Sequence, residues 1–255
     1  MTTPGPEPAE RRPPDPTTAA RVGVPGRLAA WAVHAYTASG AVMALASLAA
    51  SVRGNRWGAF AWLAAQVFVD STDGWLARAA RVRDRAPQVN GSRLDDIVDY
   101  LTYVFVPAWL VLWFELVPAP WVWAVASAML VSSGMGFSRE DAKTADHFFT
   151  GFPSYWNIVV LYLVALQTGP MFNALVIVAL AALVFVPIRY VYPSRTPTLM
   201  PLTIALGFAW ATAMLVVMWQ MPSPASWLVR ASLVYPAYYV VLSLALEARR
   251  RRPGL

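Results

Sequence analysis

Asp70 and Asp73 stand three residues apart, and Asp95 and Asp99 four apart, inside or beside strongly apolar stretches. On an α-helix each spacing puts both carboxylates on one face. The DRAPQVN segment at 84–90 separates the pairs, and Pro87 breaks any helical run there. Folding the chain back near residue 85 sets Asp73 level with about residue 97 and Asp70 level with about Asp99. Four carboxylates then meet at one height across a helical hairpin. Such a group repels itself or takes up protons unless cations neutralise it. Two hard divalent ions resolve that repulsion, and Mg²⁺ or Mn²⁺ suits all-carboxylate coordination better than Zn²⁺. Asp96 falls out of phase and is left outside the set. His34 and His147 lack metal-ligand spacing and are read as non-ligands.

Small residues flank the carboxylates. Gly74, Ala77 and Gly91 leave room for a ligand or a neighbouring backbone to approach, although the same residues also suit close helix packing. Arg78, one turn after Gly74, offers a planar fork that matches phosphate. Arg81, Arg83, Arg85 and Arg93 read instead as interfacial charges that orient the chain.

The elements that must position these residues are membrane helices. The 255-residue chain is 58% hydrophobic and only 13% charged, about half the charged fraction of a soluble domain. Eight apolar segments, at 28–52, 57–83, 91–115, 119–138, 153–168, 171–191, 199–220 and 226–247, each approach the ~20 residues that cross a hydrocarbon core. The fold class expected is therefore an all-α polytopic membrane protein of about eight transmembrane helices. With both termini cytoplasmic, seventeen of the twenty Lys and Arg fall inside, and only Arg53, Arg56 and Arg230 fall outside. Residues 1–26 hold seven prolines and no apolar periodicity, and read as a disordered cytoplasmic tail without a cleavable signal. Residues 27–248 form the transmembrane domain, and 249–255 a basic cytoplasmic tail whose Arg249–Arg252 cluster faces solvent and lipid headgroups. The absence of cysteine excludes thiol nucleophiles, thiolate ligands and disulfides. The net charge of +6 is spread over loops and tails, which fits membrane orientation and not nucleic-acid binding.

The string D-x2-D-G-x2-A-R-x12-G-x3-D-x3-D from Asp70 to Asp99 resembles the signature of the CDP-alcohol phosphatidyltransferases, an integral membrane family. The twelve-residue gap, the VHAYTASGA stretch at 33–41 and the KTADHFFTGFPSYWN loop at 143–157 look like its bacterial phosphatidylcholine synthase subgroup. The resemblance covers most of residues 30–160 and leaves the last three helices without signature. It implies that Asp70, Asp73, Asp95 and Asp99 bind two ions, Mn²⁺ or Mg²⁺, with Asp95 and Asp99 catalytic and Asp99 the general base. It places Gly74, Ala77, Arg78 and Gly91 at the nucleotide phosphates, with Thr37 facing the cytidine. The Asn usual a few residues before Thr37 is replaced here. The implied reaction moves phosphatidate from CDP-diacylglycerol to choline and releases CMP, in the inner cell membrane and with the active site facing the cytoplasm. The expected partners are those two substrates and membrane lipid, with a homodimer left open and nucleic acid excluded.

Choline carries a quaternary ammonium that donates no hydrogen bond, so aromatic faces should hold it. Tyr103, four residues after Asp99, is the first candidate, followed by Tyr155 and Trp156, with Phe149 and Phe152 behind. Most of the 12 Trp, 10 Tyr and 11 Phe must instead serve packing or interfacial belts. Arg139 and Lys143 either hold the lipid phosphate or anchor their loop at the headgroups. One rival keeps the chemistry and changes the acceptor to serine, inositol, glycerol phosphate or ethanolamine. Another is a cation transporter, which wants carboxylates or broken helices on several spans. The single acidic hairpin and the lack of internal repeats count against it.

Overall fold

The computed structural model describes residues 24–142, 144, 148–193 and 195–251. Eight long helical segments account for most of them: α1 (Val24–Val52), α2 (Arg56–Ala79), α3 (Gly91–Trp113), α4 (Ala119–Phe137), α5 (Trp156–Leu166), α6 (Pro170–Leu183), α7 (Met200–Trp219) and α8 (Ser226–Arg250). Five of these, α1, α3, α4, α7 and α8, are long and apolar enough to cross a bilayer. With 11 and 14 residues, α5 and α6 are shorter, and Asp70 and Asp73 make α2 more polar. The outward surface is rich in large apolar side chains, among them Trp123, Phe208, Trp219 and Trp227. Water-exposed patches of that extent are rare on soluble monomers. The protein is an integral membrane protein.

Local sequence sets the helix ends. Asn55 caps α2 by accepting the Gly58 N–H at 2.8 Å, and Asn90 caps α3 by accepting the Arg93 N–H at 3.2 Å, each satisfying one orphan donor of the first turn. The connection between α2 and α3 holds Arg81 in the left-handed region (φ 51°) and a single helical turn, Val82–Arg85. His34 on α1, itself buried, meets the Ala86 carbonyl at 3.4 Å and so ties this connection down. Pro170 and Pro201 lie in the first turns of α6 and α7, where the missing N–H costs little.

Close packing brings α1 against the α2–α3 hairpin. A Cβ on Gly40 would run into the Gln66 side chain and Val98, so glycine alone lets the three helices approach there. Ser47 Oγ donates to the Ala59 carbonyl at 2.8 Å, and Trp109 and Trp113 send their indole N–H groups to Ser51 at 3.0 and 2.8 Å. Within α3 the residues Tyr100–Phe105 form a π-helical turn. Pro107 follows directly; it lacks an N–H and its ring crowds the carbonyl four residues back, at Tyr103. Widening the turn relieves that crowding.

Three details differ from the layout expected. The expected tail 1–26 lies outside the described residues up to residue 23, but Val24, Pro25 and Gly26 already belong to α1. The fold is not purely helical: β1 (Phe148–Thr150) and β2 (Arg189–Val191) pair antiparallel, Phe148 opposite Val191. Three-residue strands are too short to show a period in sequence. At the other end α8 runs to Arg250, and Arg250 and Arg251 are not merely solvated but bond to buried Glu247.

Candidate active site

Helices α2 and α3 deliver the acidic residues to one place. Asp70, Asp95 and Asp99, all half-buried, offer carboxylate oxygens within 4.8 Å of one another. At an effective dielectric of ~20, two unit charges at that separation repel by roughly 3 kcal/mol. Three such pairs favour a bound cation or protonation. All the donors are carboxylate oxygens, which fits Mg²⁺, Mn²⁺ or Ca²⁺ and not a soft ion.

Asp73 stands one step aside. It is 7% exposed, and its Oδ2 accepts the Thr37 hydroxyl at 2.7 Å, so α1 holds the fourth carboxylate through a charge-assisted bond. Nearby, the Tyr36 and Thr72 hydroxyls bond at 2.9 Å, a second tie between α1 and α2. Thr37, expected against cytidine, thus has a structural partner within the chain.

Tyr103 donates its hydroxyl to Asp70 Oδ2 at 2.7 Å across the hairpin. The π-helical turn carries the ring to that position. An aromatic cluster continues from Tyr103: Tyr155 lies 6.1 Å from its ring centroid, Phe149 6.3 Å and Tyr239 6.5 Å from that of Tyr155. Trp156 sits elsewhere. It is 0% exposed, sends its indole N–H to Ser133 Oγ at 2.7 Å and packs on Phe152, a core role.

The remaining candidates separate by surroundings. Gly74 faces the Arg78 guanidinium, which a Cβ there would meet at 3.5 Å, and Arg78 itself is exposed. Ala77 packs with Ala30, Val33, Val82 and Ala86 where α1 crosses the hairpin. Gly91 lies against His34, 3.4 Å from where its Cβ would be. Asp96 lines an open groove of about 370 Å³ with Tyr100, Gly134 and Phe137, away from the acidic cluster. Arg139 makes two 2.8 Å bonds to Asp141 and so braces its own loop. Those bonds hold the Asp141 carboxyl below its ordinary range. Lys143 and His147 lie outside the described residues. Tyr190, Tyr192 and Tyr239, absent from the sequence expectations, are neighbours of the aromatic cluster. The tyrosine-rich strings RYVYP and YPAYYV were the available signal.

The acidic hairpin lies within a segment that matches a known family model. Residues 32–188 match that of CDP-alcohol phosphatidyltransferase, and the chain belongs to this family. Among individual relatives it is 36% identical over 220 residues to the phosphatidylcholine synthase of Pseudomonas aeruginosa, covering 86% of this chain and 92% of that one. It is 32% identical to the phosphatidylcholine synthase of Rhizobium johnstonii over 86% of this chain and 90% of that one. The phosphatidylcholine synthase of Legionella pneumophila is 41% identical over 66% of each chain.

Proposed function

We propose that the protein transfers the phosphatidyl group of CDP-diacylglycerol to choline and releases CMP. The observation that carries this reading is the convergence of Asp70, Asp95 and Asp99 beside an aromatic cluster that begins on Asp70 itself. Relatives of that name over nearly the whole length support the choice of acceptor.

Asp70, Asp95 and Asp99, with Asp73 beside them, would hold two divalent ions, Mg²⁺ or Mn²⁺. When bound, the ions neutralise the pyrophosphate and the departing CMP. Asp99 accepts the proton of the choline hydroxyl as that oxygen bonds to the lipid-side phosphorus. The bond from that phosphorus to the CMP oxygen breaks, and CMP leaves with the electron pair. Thr37 fixes Asp73, and Tyr103 fixes Asp70, so both carboxylates are oriented before substrate arrives. Gly74, Ala77, Arg78 and Gly91 line the nucleotide side, with Arg78 reaching a phosphate. Tyr103 and Tyr155 face the quaternary ammonium. Arg139, bonded to Asp141, braces the adjoining loop.

All eight helical segments cross the inner membrane in this reading, with both termini and the site on the cytoplasmic side, as seventeen of twenty basic residues favour. The helices from α1 through α8 form the catalytic domain in this reading, with both ends of the chain on the cytoplasmic side.

Purified protein in detergent, given CDP-diacylglycerol, Mg²⁺ or Mn²⁺ and competing alcohols, tests the proposal. Choline should outcompete serine, inositol, glycerol phosphate and ethanolamine as the acceptor that drives CMP release. Preference for any of those four would replace choline and keep the family chemistry.

A further inference from the structure

The C-terminal segment carries none of the acidic motif, yet it packs against the aromatic side of the site. The Val191 N–H, on β2, donates to Ser243 Oγ on α8 at 3.1 Å, and that hydroxyl donates to the Tyr239 carbonyl at 2.7 Å. One turn further on lies Glu247, 5% exposed. Its carboxylate receives Arg250 Nε and Nη2 at 3.1 and 2.8 Å, and Arg251 Nε at 2.6 Å. Arg251 Nη2 also donates to the Pro187 carbonyl at 3.1 Å. Strand β2 is therefore tied to α8 on both sides, at Pro187 before it and at Val191 within it. Exposed ion pairs contribute little. A buried carboxylate bonded to two guanidiniums is costly to break, because it leaves unpaired charge behind.

What β2 carries is aromatic. Tyr190 stacks on Tyr239, 6.3 Å between centroids at 14°, and Tyr192, the residue just after the strand, stacks on Phe149 of β1 at 4.6 Å and 28°. Phe149 and Tyr239 both abut Tyr155, which abuts Tyr103. The rings thus run continuously from Asp70 to the strand that Glu247 and Ser243 secure. The Tyr239 hydroxyl is buried and bonded to no group among the described residues. Its oxygen and the ring faces around it are the electron-rich surface that a quaternary ammonium requires and that a hydrogen-bonding acceptor does not.

We propose that Glu247 and Ser243 are positioning residues for acceptor recognition, latching β2 to α8 so that Tyr155, Tyr190 and Tyr239 form the ammonium-binding wall beside the acidic cluster. This rests on choline being the acceptor. The latch acts on acceptor affinity and leaves the nucleotide and the carboxylates of α2 and α3 untouched.

The test is steady-state kinetics on the full-length protein in detergent, varying choline at saturating CDP-diacylglycerol and then the reverse. Glu247→Gln should raise KM for choline about tenfold, the equivalent of losing one well-placed cation–π contact. The kcat and the KM for CDP-diacylglycerol should stay within about twofold, and Glu247→Asp should recover part of the loss. Ser243→Ala should shift the same KM in the same direction, and it decides alone if Glu247→Gln does not fold. An unmoved KM for choline in the variants overturns the latch, as does a parallel fall in kcat and in affinity for both substrates. A wild-type enzyme that ignores choline and uses another alcohol overturns both the latch and the proposed acceptor. Normal choline use with unmoved variants overturns the latch alone.

Discussion

Replacing Thr37 with valine removes one hydroxyl, keeps the side chain's shape and isolates the bond to Asp73. That bond is 2.7 Å long and joins two residues that are each less than a tenth exposed. A hydrogen bond to a charged group contributes roughly 1.5–3 kcal/mol, and its loss leaves a buried carboxylate short of a donor. For a chain of this size, about 2–4 °C of melting temperature accompanies each kcal/mol. Thr37→Val should therefore lower the melting temperature in detergent by roughly 3–12 °C. Thr37→Ser, which keeps the hydroxyl, should stay close to wild type. A thermal shift series read by intrinsic tryptophan fluorescence measures both. If Thr37→Val melts with the wild type and only its affinity for CDP-diacylglycerol falls, the reasoning is refuted. The hydroxyl would then be a nucleotide contact and not the support of Asp73.

Three other substitutions probe separate parts of the account. Asp99→Asn should reduce turnover by at least ~10³-fold, the upper range of general-base contributions, with nucleotide binding measured by equilibrium dialysis largely intact; full activity in this variant removes Asp99 from the base role. Tyr155→Leu keeps an apolar side chain and deletes the π face, so KM for choline should rise about 3- to 30-fold while KM for CDP-diacylglycerol holds; equal shifts in both would assign Tyr155 to packing. Gly40→Ala drives a methyl group into Gln66 and Val98, an overpacking expected to cost about 1–3 kcal/mol; a melting temperature equal to wild type would show that α1 can move away from the hairpin freely.

The acidic hairpin was legible because spacing alone fixes its geometry. Two pairs at i,i+3 and i,i+4 on helices joined by a proline-bearing turn have few ways to be arranged, and Asp70, Asp95 and Asp99 do converge. The place of Asp73 was less legible. Its partner Thr37 is 36 residues away on α1, and no periodicity within the hairpin reports a third helix. The π-helical turn was hidden as well, although Pro107 was in plain view, since a proline in a membrane helix can be absorbed by a kink or by a widened turn. Trp156 shows the opposite difficulty: in a chain with 12 Trp, type and proximity to a loop do not separate a ligand face from core. Tyr239 meets Tyr155 from α8 and Tyr190 stacks on it from β2, long-range contacts between distant segments that leave no local pattern.

If the Asp70–Asp95–Asp99 cluster holds divalent metal for transfer to choline, removing metal must stop the transfer. The decisive measurement is choline-dependent CMP release from CDP-diacylglycerol after EDTA treatment, with Mg²⁺ or Mn²⁺ titrated back. Release should be absent without metal and recover fully with it. Asp95→Asn should need at least ~10-fold more metal for half-maximal rate, the cost of one lost anionic ligand. Undiminished release in EDTA, or a wild-type metal requirement in Asp95→Asn, would contradict that role of the cluster.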